Sequence, residues 1–166
     1  HHGSGLDDDP SALAATSQGI TTIVIGQDGS SDPIDSIRAS IQRHPVSINL
    51  ATYTGQSTLR EAAMKDDVLR KATVAEIDSM KVVLARELDN GSLGLSTGLE
   101  YEAAFYSSPE EVVELAKVAA EKGGRYISHI RSEDRCFWKA MEEIILIGKT
   151  TGVPVQVSHI KLAMHH

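Results

Sequence analysis

The chain holds a single cysteine, Cys136, among 166 residues, so no disulfide can close within it. Aromatic residues make up only 4% of the sequence. A core must therefore be built from Ala, Val, Ile and Leu, which suits helices packed on a sheet. No apolar run is long enough to cross a bilayer. A basic surplus is missing as well. The formal charge is −7, whereas a nucleic-acid surface needs a basic patch. The opening residues His1-His2-Gly3-Ser4-Gly5 lack the basic-then-apolar profile of a signal peptide. What remains is a globular, cytoplasmic chain with no nucleic-acid or membrane partner expected. Its 41% hydrophobic content is enough for a core.

What is present is a phrase that occurs twice. Tyr126-Ile127-Ser128-His129-Ile130-Arg131 is followed, one helical stretch later, by Val155-Gln156-Val157-Ser158-His159-Ile160-Lys161. Each copy is a short apolar run ending in Ser-His-Ile and a basic residue. Gly123-Gly124 precedes the first run, and Gly152 and Pro154 precede the second. Gly and Pro mark helix ends, and short β-branched runs beyond them read as buried strands. His129 and His159 are therefore expected near the C-terminal ends of two parallel strands, the edge where α/β folds place chemistry.

The rest of the chain alternates in the same way. Strands are expected at Ile20–Ile25, Val46–Ala51 and Leu93–Leu99, making five with the two histidine strands. Helices are expected at Ser11–Ser17, from Pro33 to about Gln42, and over Thr58–Met64. Thr73-Val74-Ala75-Glu76 is a capping-box signature that opens a helix with Ile77, Met80, Leu84 and Leu88 on one face. Ser108-Pro109-Glu110-Glu111 opens another, and Phe137–Thr150 links the two histidine strands. Repeated strand-helix units imply a parallel sheet with right-handed crossovers. Periodicity alone leaves a doubly wound sheet and a barrel both open. The terminal His1-His2 and His165-His166 read either as tag remnants or as the edges of a fragment.

Two imidazoles in matching contexts suggest a metal site. A catalytic zinc needs three protein ligands and an open position, so further ligands must come from other strands. The bland alternative is that each ring only donates to a backbone carbonyl.

The stretches Gln18–Gly26, Gly94–Tyr101, Tyr126–Glu133 and Val157–Lys161 resemble the D-aminoacylase (N-acyl-D-amino-acid deacylase) branch of the amidohydrolases. The resemblance implies a zinc-bearing (β/α)8 TIM barrel, of which residues 1–166 form a partial barrel with roughly the second to sixth strands. The flanking strands and a small β-domain would lie outside the chain.

It further implies that His129 and His159 hold zinc, with one or two ions per active site. Lys161 would pair with the carboxylate of an N-acyl amino acid, and Tyr101 would line its pocket. Asp28 stands where relatives carry a ligating cysteine. Glu100, at the end of the Gly94–Leu99 strand, is preferred over Asp28 as the extra ligand. His1 is a candidate remnant of a first-strand His-x-His pair. Gln56, where relatives often have histidine, is expected to donate a hydrogen bond to the substrate. Arg131-Ser132-Glu133 is expected either to form an exposed ion pair or to make a network orienting His129, and Arg131 is a candidate for the substrate pocket.

The implied reaction is hydrolysis of the amide of N-acyl-D-amino acids, using a catalytic aspartate beyond this chain, so the fragment alone is expected to be inactive. A cyclic amidase of the dihydroorotase or hydantoinase kind, and a non-catalytic barrel piece with structural histidines, are the alternatives. Five strands of an open barrel leave unpaired edges, and self-association through them is expected.

Overall fold

A computed structural model describes residue 6 and residues 8–162 of the chain. Its strands are β1 (Thr22–Ile25), β2 (Asn49–Thr52), β3 (Thr54–Gly55), β4 (Gly94–Gly98), β5 (Arg125–His129) and β6 (Val155–Val157). Its helices are α1 (Leu13–Thr16), α2 (Ile34–Arg43), α3 (Gln56–Met64), α4 (Val74–Asp89), α5 (Glu102–Phe105), α6 (Pro109–Glu121) and α7 (Phe137–Thr151). His1 and His165-His166 lie outside the described residues. Among the described residues no helix is long and apolar enough to cross a membrane.

Every ladder is parallel: β1 pairs with β2, and β3, β4, β5 and β6 follow in order. Only Tyr53 separates β2 from β3, and the backbone bonds continue through it. Tyr53 N–H donates to Ile25 O at 3.0 Å, and Leu93 N–H donates to Thr52 O at 2.8 Å. The two short pieces are thus one kinked strand between β1 and β4, and the array runs in chain order as the alternating pattern suggested. Val24 of β1 and Gln156 of β6, from its two ends, line one hollow with Tyr53 and Ile127. The sheet therefore curls on itself.

Side chains alternate across a strand, so each strand sends one set inward and one outward. Ile127 faces the hollow, while Tyr126 packs outward in a core with Met80, Leu84, Leu95, Leu115 and Ala119, all fully buried. That core belongs to α4, α6 and α7 against β4 and β5, and it is aliphatic as the composition requires. The helix starts match their sequence signals at two points. Thr73 and Glu76 form the reciprocal capping box of α4, and the Ser108 side chain accepts from Glu111 N–H with Pro109 at the first helical position of α6.

Boundaries moved where distant partners intervene. The strand expected at Val46–Ala51 begins at Asn49, because Ser47 N–H donates to Pro10 O at 2.8 Å and ties that stretch to the N-terminal segment. The helix expected from Thr58 begins at Gln56. Gly29 O accepts from Ser57 N–H at 2.8 Å, so a loop remote in sequence satisfies the free N–H of the helix end.

The helical layer also buries charge. Arg60 is fully buried and ion-paired with Glu111, and its guanidinium donates to Ala103 O at 2.6 Å, Val68 O at 2.9 Å and Arg70 O at 2.6 Å. Gln56 Nε2 donates to Glu111 Oε1 at 2.8 Å. Removing one member of such a pair strands a buried charge, at a cost of about 3–5 kcal/mol. Arg60→Ala is expected to lower unfolding free energy by that amount in denaturant titration. A loss below about 1 kcal/mol, the level of a surface pair, would show that the network is not structural.

Candidate metal centre

The site follows from where β4, β5 and β6 end. Gly98 is opposite His129 on β4 and β5, and Ser128 is opposite Val157 on β5 and β6. His129 shares the inward parity of Ile127 and closes β5 at the sheet edge. Ser158 N–H donates to Ser128 O at 2.8 Å, which carries the ladder one residue further and delivers His159 beside His129. The ring centroids are 4.7 Å apart at 84°. His129 Nδ1 lies 3.1 Å from His159 Nε2.

Asp28 completes this group. A ligand atom from each of Asp28, His129 and His159 lies within 4.8 Å of the others. The loop after β1 brings the carboxylate there by direct backbone packing. Asp28 has φ 64° and Gly29 φ 86°, a left-handed pair that Asp and Gly tolerate. Ser96 Oγ accepts from Gly29 N–H at 3.2 Å and donates to Gly26 O at 2.5 Å. Gly98 leaves the space: a Cβ there would sit 2.3 Å from Asp28 O and 2.4 Å from Tyr101 Cδ2.

A second set surrounds the other nitrogen of His129. Glu100 Oε2 is 2.9 Å from His129 Nε2, and Glu133 Oε2 is 3.9 Å away. A carboxylate at Nε2 favours the proton on that nitrogen, which leaves Nδ1 as the acceptor nitrogen. Tyr101 OH is 3.1 Å from Nδ1 and its ring stands 4.6 Å from the imidazole. Burial, then the nearby Asp28 and Glu133 charges, raise the Tyr101 pKa, so the phenol stays protonated. Lys161 Nζ is 2.8 Å from Glu133 Oε2, and that contact raises its pKa.

The donor set suits zinc. Two ring nitrogens 3.1 Å apart repel unless a proton or a cation lies between them. Around a tetrahedral zinc with Zn–N of about 2.0–2.1 Å, two nitrogens stand about 3.3 Å apart. Two imidazoles and a carboxylate are ordinary zinc ligands, and both histidines and Asp28 are at least partly buried.

The structure brings together His129, His159, Asp28, Glu100, Tyr101 and Lys161. Two expected substrate contacts lie elsewhere. Gln56 is fully buried behind the sheet on Glu111, because helix α3 starts early and turns its first side chain into the helical layer. Arg131 turns outward: its guanidinium binds Glu143 of α7 through two bonds of 2.8 Å and Phe105 O at 2.9 Å. His1 lies outside the described residues. Of the Arg131-Ser132-Glu133 stretch, it is Glu133 that turns toward the histidines, 3.9 Å from His129 Nε2 and 2.5 Å from His159 Nδ1.

No family model matches the chain. It is 33% identical over 174 residues to a D-aminoacylase of Alcaligenes xylosoxydans xylosoxydans, covering 88% of this chain and 35% of that protein. It superposes on a crystal structure of D-aminoacylase, described as defining a subset of amidohydrolases, with TM-score 0.83 at 31% identity, covering 93% of this chain and 37% of that one. An N-acyl-D-glutamate deacylase from Bordetella bronchiseptica, solved with zinc and a phosphonate inhibitor, gives TM-score 0.85 at 32% identity over 92% of this chain and 37% of its own. The chain thus spans about a third of the length of these relatives, and its parallel sheet is part of the amidohydrolase barrel.

The close packing at Gly98 carries a prediction. Gly98→Ala is expected to cost about 1–3 kcal/mol, as overpacking does, because its neighbours are backbone and an anchored ring. Denaturant unfolding measures it. An unchanged midpoint would mean that the Asp28 loop yields freely.

Proposed function

Since the chain belongs to the D-aminoacylase family of amidohydrolases, we propose that it is the metal-holding middle of an enzyme that hydrolyses the amide of N-acyl-D-amino acids. The observation that carries this is the convergence of His129 Nδ1 and His159 Nε2 at 3.1 Å with Asp28 alongside. Asp28, His129 and His159 would hold the zinc. When bound, such an ion supplies the Lewis acidity that amide hydrolysis requires near neutral pH.

The chain's own residues supply orientation. Glu100 holds the proton of His129 at Nε2. Tyr101, protonated and at the mouth, offers a hydroxyl donor to the substrate. Lys161 offers an ammonium to the free carboxylate that every N-acyl amino acid carries. Water adds across the C–N bond, giving a carboxylate and a free amine. A carboxylate must take the water proton and pass it to the leaving nitrogen. The resemblance assigns that group to an aspartate outside this chain, so the 166-residue chain alone is read as inactive. We place it in the cytoplasm, a reading supported by the exposed free thiol of Cys136, which a reducing compartment preserves.

The test is metal analysis with substrate profiling. The chain is expected to take up about one zinc, lost in His129→Ala and in His159→Ala. A longer protein containing this segment is expected to release amino acids from N-acyl-D-amino acids and to leave cyclic ureides intact, with no release by the short chain. Retention of zinc in both variants would sink the assignment. The strands β1 and β6 each have one edge with no strand partner among the described residues. Such edges recruit further chains, so light scattering of the 166-residue chain is expected to show oligomers. A compact monomer would contradict this.

A further inference from the structure

Glu133 lies in the loop between β5 and α7 and is 4% exposed. Its carboxylate meets a different basic group on each oxygen. Oε1 is 2.5 Å from His159 Nδ1, a charge contact outside hydrogen-bond geometry, and Oε2 is 2.8 Å from Lys161 Nζ. Oε2 is also 3.9 Å from His129 Nε2, at the margin of an ion-pair contact. Both close partners come from one stretch, residues 158–161, which follows the end of β6. The last ladder bond there is Ser158 N–H to Ser128 O, so the sheet does not fix the chain beyond it. The two side chains are 39% and 56% exposed, and Glu133 is what they share on their buried side.

The chemistry of that contact is restrictive. An ionised carboxylate only accepts hydrogen bonds. Its Oε1 and His159 Nδ1 are close but not in hydrogen-bond geometry, so the contact acts through charge, and a negative oxygen at that distance favours the tautomer with the proton on Nδ1. A neutral imidazole protonated at Nδ1 has its lone pair at Nε2, and Nε2 is the atom 3.1 Å from His129 Nδ1. The same carboxylate fixes the ammonium of Lys161 two residues further on. A buried carboxylate is costly unless paired, and Lys161 supplies the pairing charge.

We infer that Glu133 is a positioning residue that selects His159 as an Nε2 donor and aims Lys161, joining the metal-holding and carboxylate-reading halves of the site through one side chain. The inference rests on the functional reading above and extends it to Glu133, which stands beside both imidazoles and the lysine. It mirrors the contact of Glu100 with His129, so each imidazole would have its own carboxylate behind it. Outer carboxylates of this kind change metal affinity by about 10–100-fold.

The experiment uses the intact 166-residue chain, labelled with 15N at histidine, first without metal and then titrated with zinc against a chromogenic chelator. Metal-free wild type is expected to show His159 protonated at Nδ1. Glu133→Ala is expected to shift that ring toward the Nε2-protonated form and to weaken zinc binding about 10–100-fold. Should Glu133→Ala fail to fold by circular dichroism, the near-isosteric Glu133→Gln, which removes the charge, is read the same way. An unchanged His159 spectrum on removal of the Glu133 charge overturns the inference. Zinc retained in His129→Ala and His159→Ala overturns the metal-centre reading instead, and the metal-free spectra still decide the role of Glu133.

Discussion

In a parallel ladder the hydrogen bonds fix not only which strands are neighbours but how far each extends beyond the next. Gly98 opposite His129 and Ser128 opposite Val157 set β4, β5 and β6 to end in step. A shift of one residue in β5 would turn His129 out into the helical layer and Ser128 into the mouth, because parity alternates. The site therefore depends on register before it depends on any side-chain contact. The register in turn is held on the outer face, where Tyr126 and Ser128 are both within hydrogen-bond distance of Thr97, at 2.8 Å each.

The inner and outer faces divide the polar residues between them. On the outer side Arg60, Glu111 and Gln56 close on one another and on backbone carbonyls, which ties α3 to α6 and to the segment before α4. On the inner edge the carboxylates of Asp28, Glu100 and Glu133 face two imidazoles and a lysine, with ring nitrogens directed at each other. Both sets include buried charge. The outer one satisfies its donors internally and acts as a brace. The inner one keeps lone pairs converging on a common point, an arrangement that a bound cation stabilises.

Much of this was legible in the sequence because it was local. The capping box at Thr73, the Ser108-Pro109 helix start and the Gly stops before β5 and β6 are signals carried within a few residues of the feature they mark. The doubled Ser-His-Ile phrase marked two strand ends, but not one register: Ser128 faces outward while Ser158 lines the hollow, so His159 comes one position beyond the point opposite His129. The errors share one physical origin, which is partners distant in sequence. Gln56 was expected at the mouth, but Gly29 O lengthens α3 backward and Glu111 draws its amide away. Arg131 and Glu133 sit two residues apart in one loop, and their sequence gives no sign of which turns inward. The choice is made by Glu143 on α7, which takes the guanidinium, and by Lys161 and His159, which take the carboxylate.

Asp28 shows how backbone and chemistry are linked. The resemblance implies a ligating cysteine at this place, and a thiolate would need only to arrive. A carboxylate must arrive with the right oxygen presented, so its loop must be held. The left-handed Asp28-Gly29 turn, the Ser96 hydroxyl that bonds both Gly29 and Gly26, and the bare face of Gly98 do that holding. Exchanging sulfur for oxygen also makes the donor set harder, since two imidazoles and a carboxylate favour thiophilic ions less than a thiolate does. Selectivity for zinc in such a centre must then come from geometry: the distance between the two imidazole nitrogens, the protons held on their far sides by carboxylates, and the reach of the Asp28 loop. Each of these is set by the in-step ends of the strands and the loops that follow them.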